Sequence, residues 1–181
     1  MVEHIKRGKH LPSQAECVIM NIDKGGNMSQ GANANYSGTS FEEKVRAFLR
    51  NRGHTPKKHR YKALWFNPKP TGRLNETEIH IPELEMVIEC KNQNGSGTAD
   101  QKIITELYNA HKRIDCKHYV LLYGGSWWSD GRGQSLILAG KEFIQDVDKY
   151  MPTQSSKKLH VMKYEEFCTW FDNNFSSRSQ A

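Results

Sequence analysis

The apolar and polar positions divide the chain into alternating helical and extended segments. Phe41, Val45, Phe48 and Leu49 recur at helical spacing. Ser40 stands before them as an N-cap, Glu42 and Glu43 follow where the macrodipole favours carboxylates, and Gly53 marks the end. On that helix Glu42 borders the apolar face and Glu43 points to solvent. Residues 61–66 read as a short strand. Residues 77–81 and 85–92 alternate with a period of two and read as a hairpin about Pro82-Glu83-Leu84. Ile103, Ile104, Leu107 and Ala110 predict a helix over 99–113. Residues 119–123 form an unbroken apolar run, typical of a sheet centre. Residues 136–138 read as a short strand, 141–150 as a helix and 159–162 as a strand. Residues 164–173 read as a last helix with a core stripe of Tyr164, Phe167, Trp170 and Phe171. Helices and strands alternate, so the expected class is α/β with a mixed sheet.

Residues 1–37 are rich in Gly, Ser, Asn and Ala and read as a poorly packed tail, with at most one short strand over 17–22. The packed domain is expected over 38–175, with a short tail over 176–181. The full length of 181 residues suits one such domain. No apolar run is long enough to span a bilayer, and the first dozen residues lack the apolar region of a secretory signal. Four cysteines without a CxxC pair read as reduced thiols, so a cytoplasmic location is expected. No His or Cys pair has zinc-ligand spacing.

Lys and Arg number 26 against 20 Asp and Glu, a formal charge of +6. Its distribution says more than its size. The ten basic residues from Lys44 to Arg73 have no acid among them, and Glu76, Glu78, Glu83, Glu85 and Glu89 follow with no intervening base. The first stretch suits a polyanion. The second lies on the hairpin. On its second strand Glu89, Lys91 and Gln93 share one face with Val87, while Met86, Ile88 and Cys90 share the other. With Glu83 and Leu84 as the loop residues, Glu78 lies directly across from Glu89, at a Cβ separation of about 5 Å. With Pro82 and Glu83 as the loop, Glu76 takes that place. The first register is preferred because it puts Ile79 and Ile81 on the core side. Two facing carboxylates repel unless a cation joins them, and Mg²⁺ takes such oxygen ligands while keeping several waters. Lys91 is placed to orient an attacking water or to hold charge on a phosphate oxygen.

Glu78-Ile79-His80-Ile81 followed by Val87-Ile88-Glu89-Cys90-Lys91-Asn92-Gln93 resembles the core of the PD-(D/E)xK nuclease superfamily, the fold of many restriction endonucleases. The stretch from Gly95 to Lys102 resembles the loop and helix start after the superfamily's ExK strand, and Phe41-Glu42 its first-helix acid. The likeness runs from about residue 38 to residue 173. It departs in having Glu where the superfamily usually has Asp, which leaves Glu76, Glu78 and Glu83 as competing ligands.

The resemblance implies a restriction-endonuclease-like core, a central mixed sheet with helices on both sides. It implies a Mg²⁺-dependent DNA endonuclease, with Mn²⁺ as a substitute ion. Glu78 and Glu89 would bind the metal, Glu42 would assist, Lys91 would position the nucleophile and Gln93 would support the site. The expected activity is site-specific and restriction-like. A junction-resolving, repair or homing nuclease, or an inactive DNA-binding relative, are the alternatives. Lys57, Lys58, Arg60, Lys62 and Lys102 are the expected phosphate contacts. Trp127 and Trp128 are candidates to stack on a base or wedge a duplex, or else to cap the core. Cutting both strands of double-stranded DNA needs two sites, so a homodimer is expected.

Overall fold

The structure is a computed structural model that describes residues 30–61, 74–95, 102–129, 131–150 and 157–175, with the backbone alone described at 30–37, 102 and 148. Among the described residues four helices surround a four-stranded sheet. They are α1 (Gln30–Arg50), α2 (Lys102–Arg113), α3 (Gly131–Tyr150) and α4 (Tyr164–Phe175). A two-residue ribbon, β1 (Arg60–Tyr61) and β2 (Asn75–Glu76), precedes the main sheet of β3 (Ile79–Ile81), β4 (Met86–Asn92), β5 (His118–Gly124) and β6 (Lys158–Lys163). The sheet runs in the order β3-β4-β5-β6. β3 is antiparallel to β4, and the other two pairings are parallel. Parallel pairing requires a crossover, and α2 and α3 lie in those connections.

Both faces of the sheet are covered, and each has its own apolar cluster. Met86, Ile88, Cys90, Val120 and Leu122 pack with Ile79 and Ile81 against α1 and α4, where Val45, Leu49, Phe167 and Phe171 are wholly buried. Each of those α4 rings contributes roughly 1.5–3 kcal/mol of burial. On the opposite face Val87, Tyr119, Leu121 and Val161 pack against Ile103, Leu107 and Ala110 of α2 and Ile137 and Val147 of α3. The result is a mixed sheet flanked by helices, consistent with the restriction-endonuclease-like fold.

Chain turns fit this layering. α1 closes through Gly53, whose φ of +84° suits the left-handed end of a helix and whose N–H donates to Arg50 O at 2.9 Å. The last carbonyls of α2 are met by Lys157, whose Nζ donates to Ala110 O at 2.8 Å and His111 O at 3.2 Å. That ammonium satisfies groups which the helix itself leaves unpaired.

Several predicted boundaries move. α1 begins at Gln30, ten residues before the expected cap at Ser40, so the helix crosses the proposed start of the domain at residue 38. Residues 136–138 are not a strand but part of α3. The run Leu136-Ile137-Leu138 mimics a strand, yet Ile137, Gly140, Ile144 and Val147 follow helical spacing. Gly140 allows close approach to α2: a Cβ there would lie 3.0 Å from Ile103. The hairpin loop holds four residues, a 3-10 turn over Pro82–Leu84 with Glu85 at φ 46°, rather than two. The predicted strand at 17–22 and Lys62 lie outside the described residues, as does most of the one at 61–66.

Candidate active site

The hairpin register is Ile79 with Ile88, His80 with Val87 and Ile81 with Met86. Continued one position, it brings Glu78 opposite Glu89. The two other hairpin acids under consideration are elsewhere. Glu76 pairs across the ribbon with Arg60, whose Nε lies 2.8 Å from its carboxylate, and Lys58 Nζ lies 3.6 Å away. Glu83 sits at the turn, 2.8 Å from His54 Nδ1.

Glu78 is held by two backbone contacts of different origin. One carboxylate oxygen accepts the Cys90 N–H at 2.6 Å, and its carbonyl accepts a hydrogen bond from Arg46. Burial, then the charge of Glu89, pushes its carboxyl up to about 7, against the opposing pull of Lys91 and the Cys90 N–H. Glu89 and Lys91 have side chains only 12 % exposed, and Lys91 Nζ lies 2.6 Å from Glu89 Oε1. Burial works against the Lys91 charge, but Glu89, Glu106 and Glu78 outweigh it and hold the ammonium above its ordinary range.

Glu106 was not anticipated. It projects from α2 beside Leu107, its side chain 14 % exposed, and reaches to 3.9 Å from Lys91 Nζ. The available signal was an acid bordering the apolar stripe of a helix expected to cover the sheet. Tyr61 of β1 joins the same cluster. Burial, then Glu106 and Glu89, holds its phenol above its usual range, and burial and the same two acids do so for Tyr119 of β5.

The remaining expected site residues divide into near and far. Glu42 lies at the border of the α1 face, its carboxylate 2.7 Å from Arg46 Nε. Arg46 in turn holds Pro56 O and Glu78 O, so Glu42 reaches the hairpin through a guanidinium. Gln93 ends the strand. Its amide donates to Gly95 O at 2.6 Å, its backbone N–H to Gly124 O at 2.9 Å, and its Oε1 is buried without a partner among the described residues. Lys57, Lys58 and Arg60 are exposed along the hairpin edge, where Lys57 exchanges backbone hydrogen bonds with His80. Lys102 is the first residue of α2, and only its backbone is described. Trp128 is 2 % exposed and packs edge-on against Trp127 at 4.7 Å. The ring is a core side chain, with little face left for a base. Trp127 is half-buried beside it.

Among the described residues no three His, Cys, Asp or Glu side chains form a ready metal cluster. Two facing carboxylates do fit a hard cation. The Cys90 N–H and Lys91 engage one oxygen of Glu78 and one of Glu89, and burial, then the charge of Glu89, raises the Glu78 carboxyl, a penalty that a bound cation would relieve. A cation that takes a few carboxylate oxygens and keeps its waters suits such a pair better than one needing a full protein cage.

Residues 33–175 match the PD-(D/E)XK nuclease superfamily domain, and the chain belongs to that superfamily. Its fold is thereby that of a nuclease domain, a class that generally uses divalent metal ions. Comparison with curated proteins and with solved structures gives no match.

Proposed function

We propose that the protein is a Mg²⁺-dependent endonuclease that hydrolyses phosphodiester bonds of double-stranded DNA, with Glu78 and Glu89 as metal ligands and Lys91 as the residue that orients the nucleophile. The observation that carries this reading is the convergence of two carboxylates and a buried ammonium on one sheet face. When bound, a divalent ion supplies charge neutralisation and Lewis acidity toward a phosphate oxygen. Lys91, fixed by Glu89 and Glu106, holds an attacking water or a developing negative charge without needing to reorganise. Gln93 supports the strand end, and Glu42 steadies the hairpin through Arg46.

Site-specific, restriction-like cleavage by a homodimer is the form that fits a small domain with one such site. Lys57, Lys58 and Arg60 lie on an exposed edge, where phosphates would compete with Glu76 for Lys58 and Arg60, so binding weakens with salt. The test is to incubate supercoiled and linear DNA with Mg²⁺ and either the protein or its Lys91→Ala variant, checked for folding by circular dichroism. Cleavage by the wild type, reduced on the order of 100-fold or more in the variant, is expected. No cleavage of any DNA form by the wild type overturns the activity, and unchanged cleavage by the variant overturns the site. Discrete fragments from linear DNA mark a site-specific enzyme, whereas cleavage confined to branched DNA marks a junction-resolving one.

A further inference from the structure

A cavity of about 360 Å³ opens at the carboxyl ends of β4, β5 and β6, between α1 and the start of α4. The proposed cleavage chemistry does not use it. Ligands of open α/β sheets settle at this end of the strands, and small-ligand pockets begin at about 300 Å³. Two ammonium groups line it, Lys44 of α1 and Lys163 at the end of β6, against one carboxylate, Glu165. Lys44 Nζ stands 3.9 Å over the ring of Tyr164, the residue after Lys163, so both cations belong to the same rim. The dipole of α4 is already answered, because Glu166 accepts the Lys163 N–H at 3.0 Å. The positive character of the rim therefore comes from the lysines.

The interior is of another kind. Phe41 and Tyr164 provide aromatic wall, and Asn92 and Ser129 provide polar edge. Trp128 packs behind them, its Nε1 buried with no hydrogen-bond partner among the described residues. Gly124 keeps the floor open, since a Cβ there would lie 2.8 Å from the Phe41 ring and 3.1 Å from Asn92 Oδ1. Asn92 follows Lys91 directly, and one strand residue advances about 3.3 Å. Side chains alternate across a strand, so Asn92 and the cavity lie on the sheet face opposite Lys91, and a nucleic-acid strand would reach both only by passing around the carboxyl end of β4.

We propose that this cavity takes one unstacked nucleotide, its phosphate on Lys44 and Lys163 and its base against the aromatic wall. The nucleotide is either a residue of the bound strand or a free mononucleotide. The first form rests on the nuclease reading above, and the second does not.

The test uses the full chain in EDTA, so cleavage plays no part. Labelled duplexes, fully paired or with one unpaired nucleotide, are titrated by anisotropy. The four deoxynucleoside monophosphates and inorganic phosphate are titrated by thermal shift. The variants are the double Lys44→Ala, Lys163→Ala protein and a Ser129→Trp protein that fills the cavity mouth. All three positions are exposed, so the variants fold. The unpaired nucleotide is expected to tighten binding about tenfold or more, the usual size of one base stacked on aromatic side chains. Both variants are expected to lose that gain. Mononucleotide binding without a preference for the unpaired duplex keeps the cavity as a free-nucleotide site and overturns its use by the bound strand. Equal binding of the two duplexes with no mononucleotide binding overturns the proposal. So does a preference that survives both variants, or phosphate binding as well as a mononucleotide.

Discussion

Glu76 and Glu78 are the same residue type two positions apart, yet they sit in opposite electrostatic surroundings. Glu76 ends an exposed two-residue ribbon, where Arg60 first, and then Lys58, holds its carboxyl below the usual range despite slight desolvation. Glu78 begins the main hairpin, where burial and Glu89 push its carboxyl up to about 7. What separates them is where the ribbon ends and the covered sheet begins. In the ribbon a carboxylate meets long, exposed cations at little cost. On the covered sheet it loses water and faces another carboxylate, and the charge of Lys91 offsets only part of that. The same contrast extends to the basic stretch. Arg46, Arg50, Arg52 and Arg60 all pair with acids of this chain, so its charge is less available to a polyanion than the sequence suggests.

The largest expected effect comes from removing the counter-charge. Lys91→Ala leaves Glu89 and Glu106 buried together, and breaking such a pair costs on the order of 3 kcal/mol at neutral pH, read from urea denaturation. A loss under 1 kcal/mol would place the cluster in effective contact with water.

The next effect concerns pH. A carboxyl raised from 4.5 to about 7 on folding keeps its proton in the native state while the unfolded chain releases it. Its penalty is absent below about pH 4.5, grows as pH rises and is complete above about 7. At 1.36 kcal/mol per unit this amounts to an upper figure of about 3 kcal/mol. Glu78→Gln in EDTA therefore gains stability over the wild type above pH 7 and matches it near pH 4.5. Glu76→Gln goes the other way. Its lowered carboxyl stabilises the fold above its unfolded value, and that small gain is lost as pH falls through the folded one. Parallel curves for the two variants would erase the distinction.

A smaller effect comes from Mg²⁺. At pH 8 the ion should raise the melting temperature of the wild type by a few degrees, through binding to the native state alone. Glu78→Gln should show little of that rise, and Glu76→Gln should show all of it. The smallest effect is that of Glu106→Gln. Lys91 keeps Glu89 as its partner, so we expect a loss of about 1 kcal/mol or less.

How much of this was legible depended on whether the signal was local. The facing of Glu78 and Glu89 was readable because side chains alternate on a strand and Ile79 and Ile81 had to enter the core. A loop two residues longer than expected preserved the same pairing, because it grew by one residue on each side. The strand at 136–138 was misread because three adjacent apolar residues carry no period of their own. The helical period appears only over the longer run of Ile137, Gly140, Ile144 and Val147, and Gly140 then lets the helix approach Ile103. The start of α1 was misread because a good cap at Ser40 competes with a helix that does not need it. Trp128 left both roles open in sequence, and its burial decided between them.

By itself the sequence determined the alternation of helices and strands, the face on which Glu89, Lys91 and Gln93 lie, and the resemblance that their spacing carries. These follow from periodicities of two and 3.6, which a chain displays residue by residue. Only the tertiary structure decided that Glu106 reaches Lys91 from α2, that Arg46 carries Glu42 to the hairpin, and that Glu76 is spent on Arg60. It also brought Lys44 and Lys163, 119 positions apart, to one cavity. Contacts between elements depend on which faces pack together, and burial then sets the charge state of what they enclose.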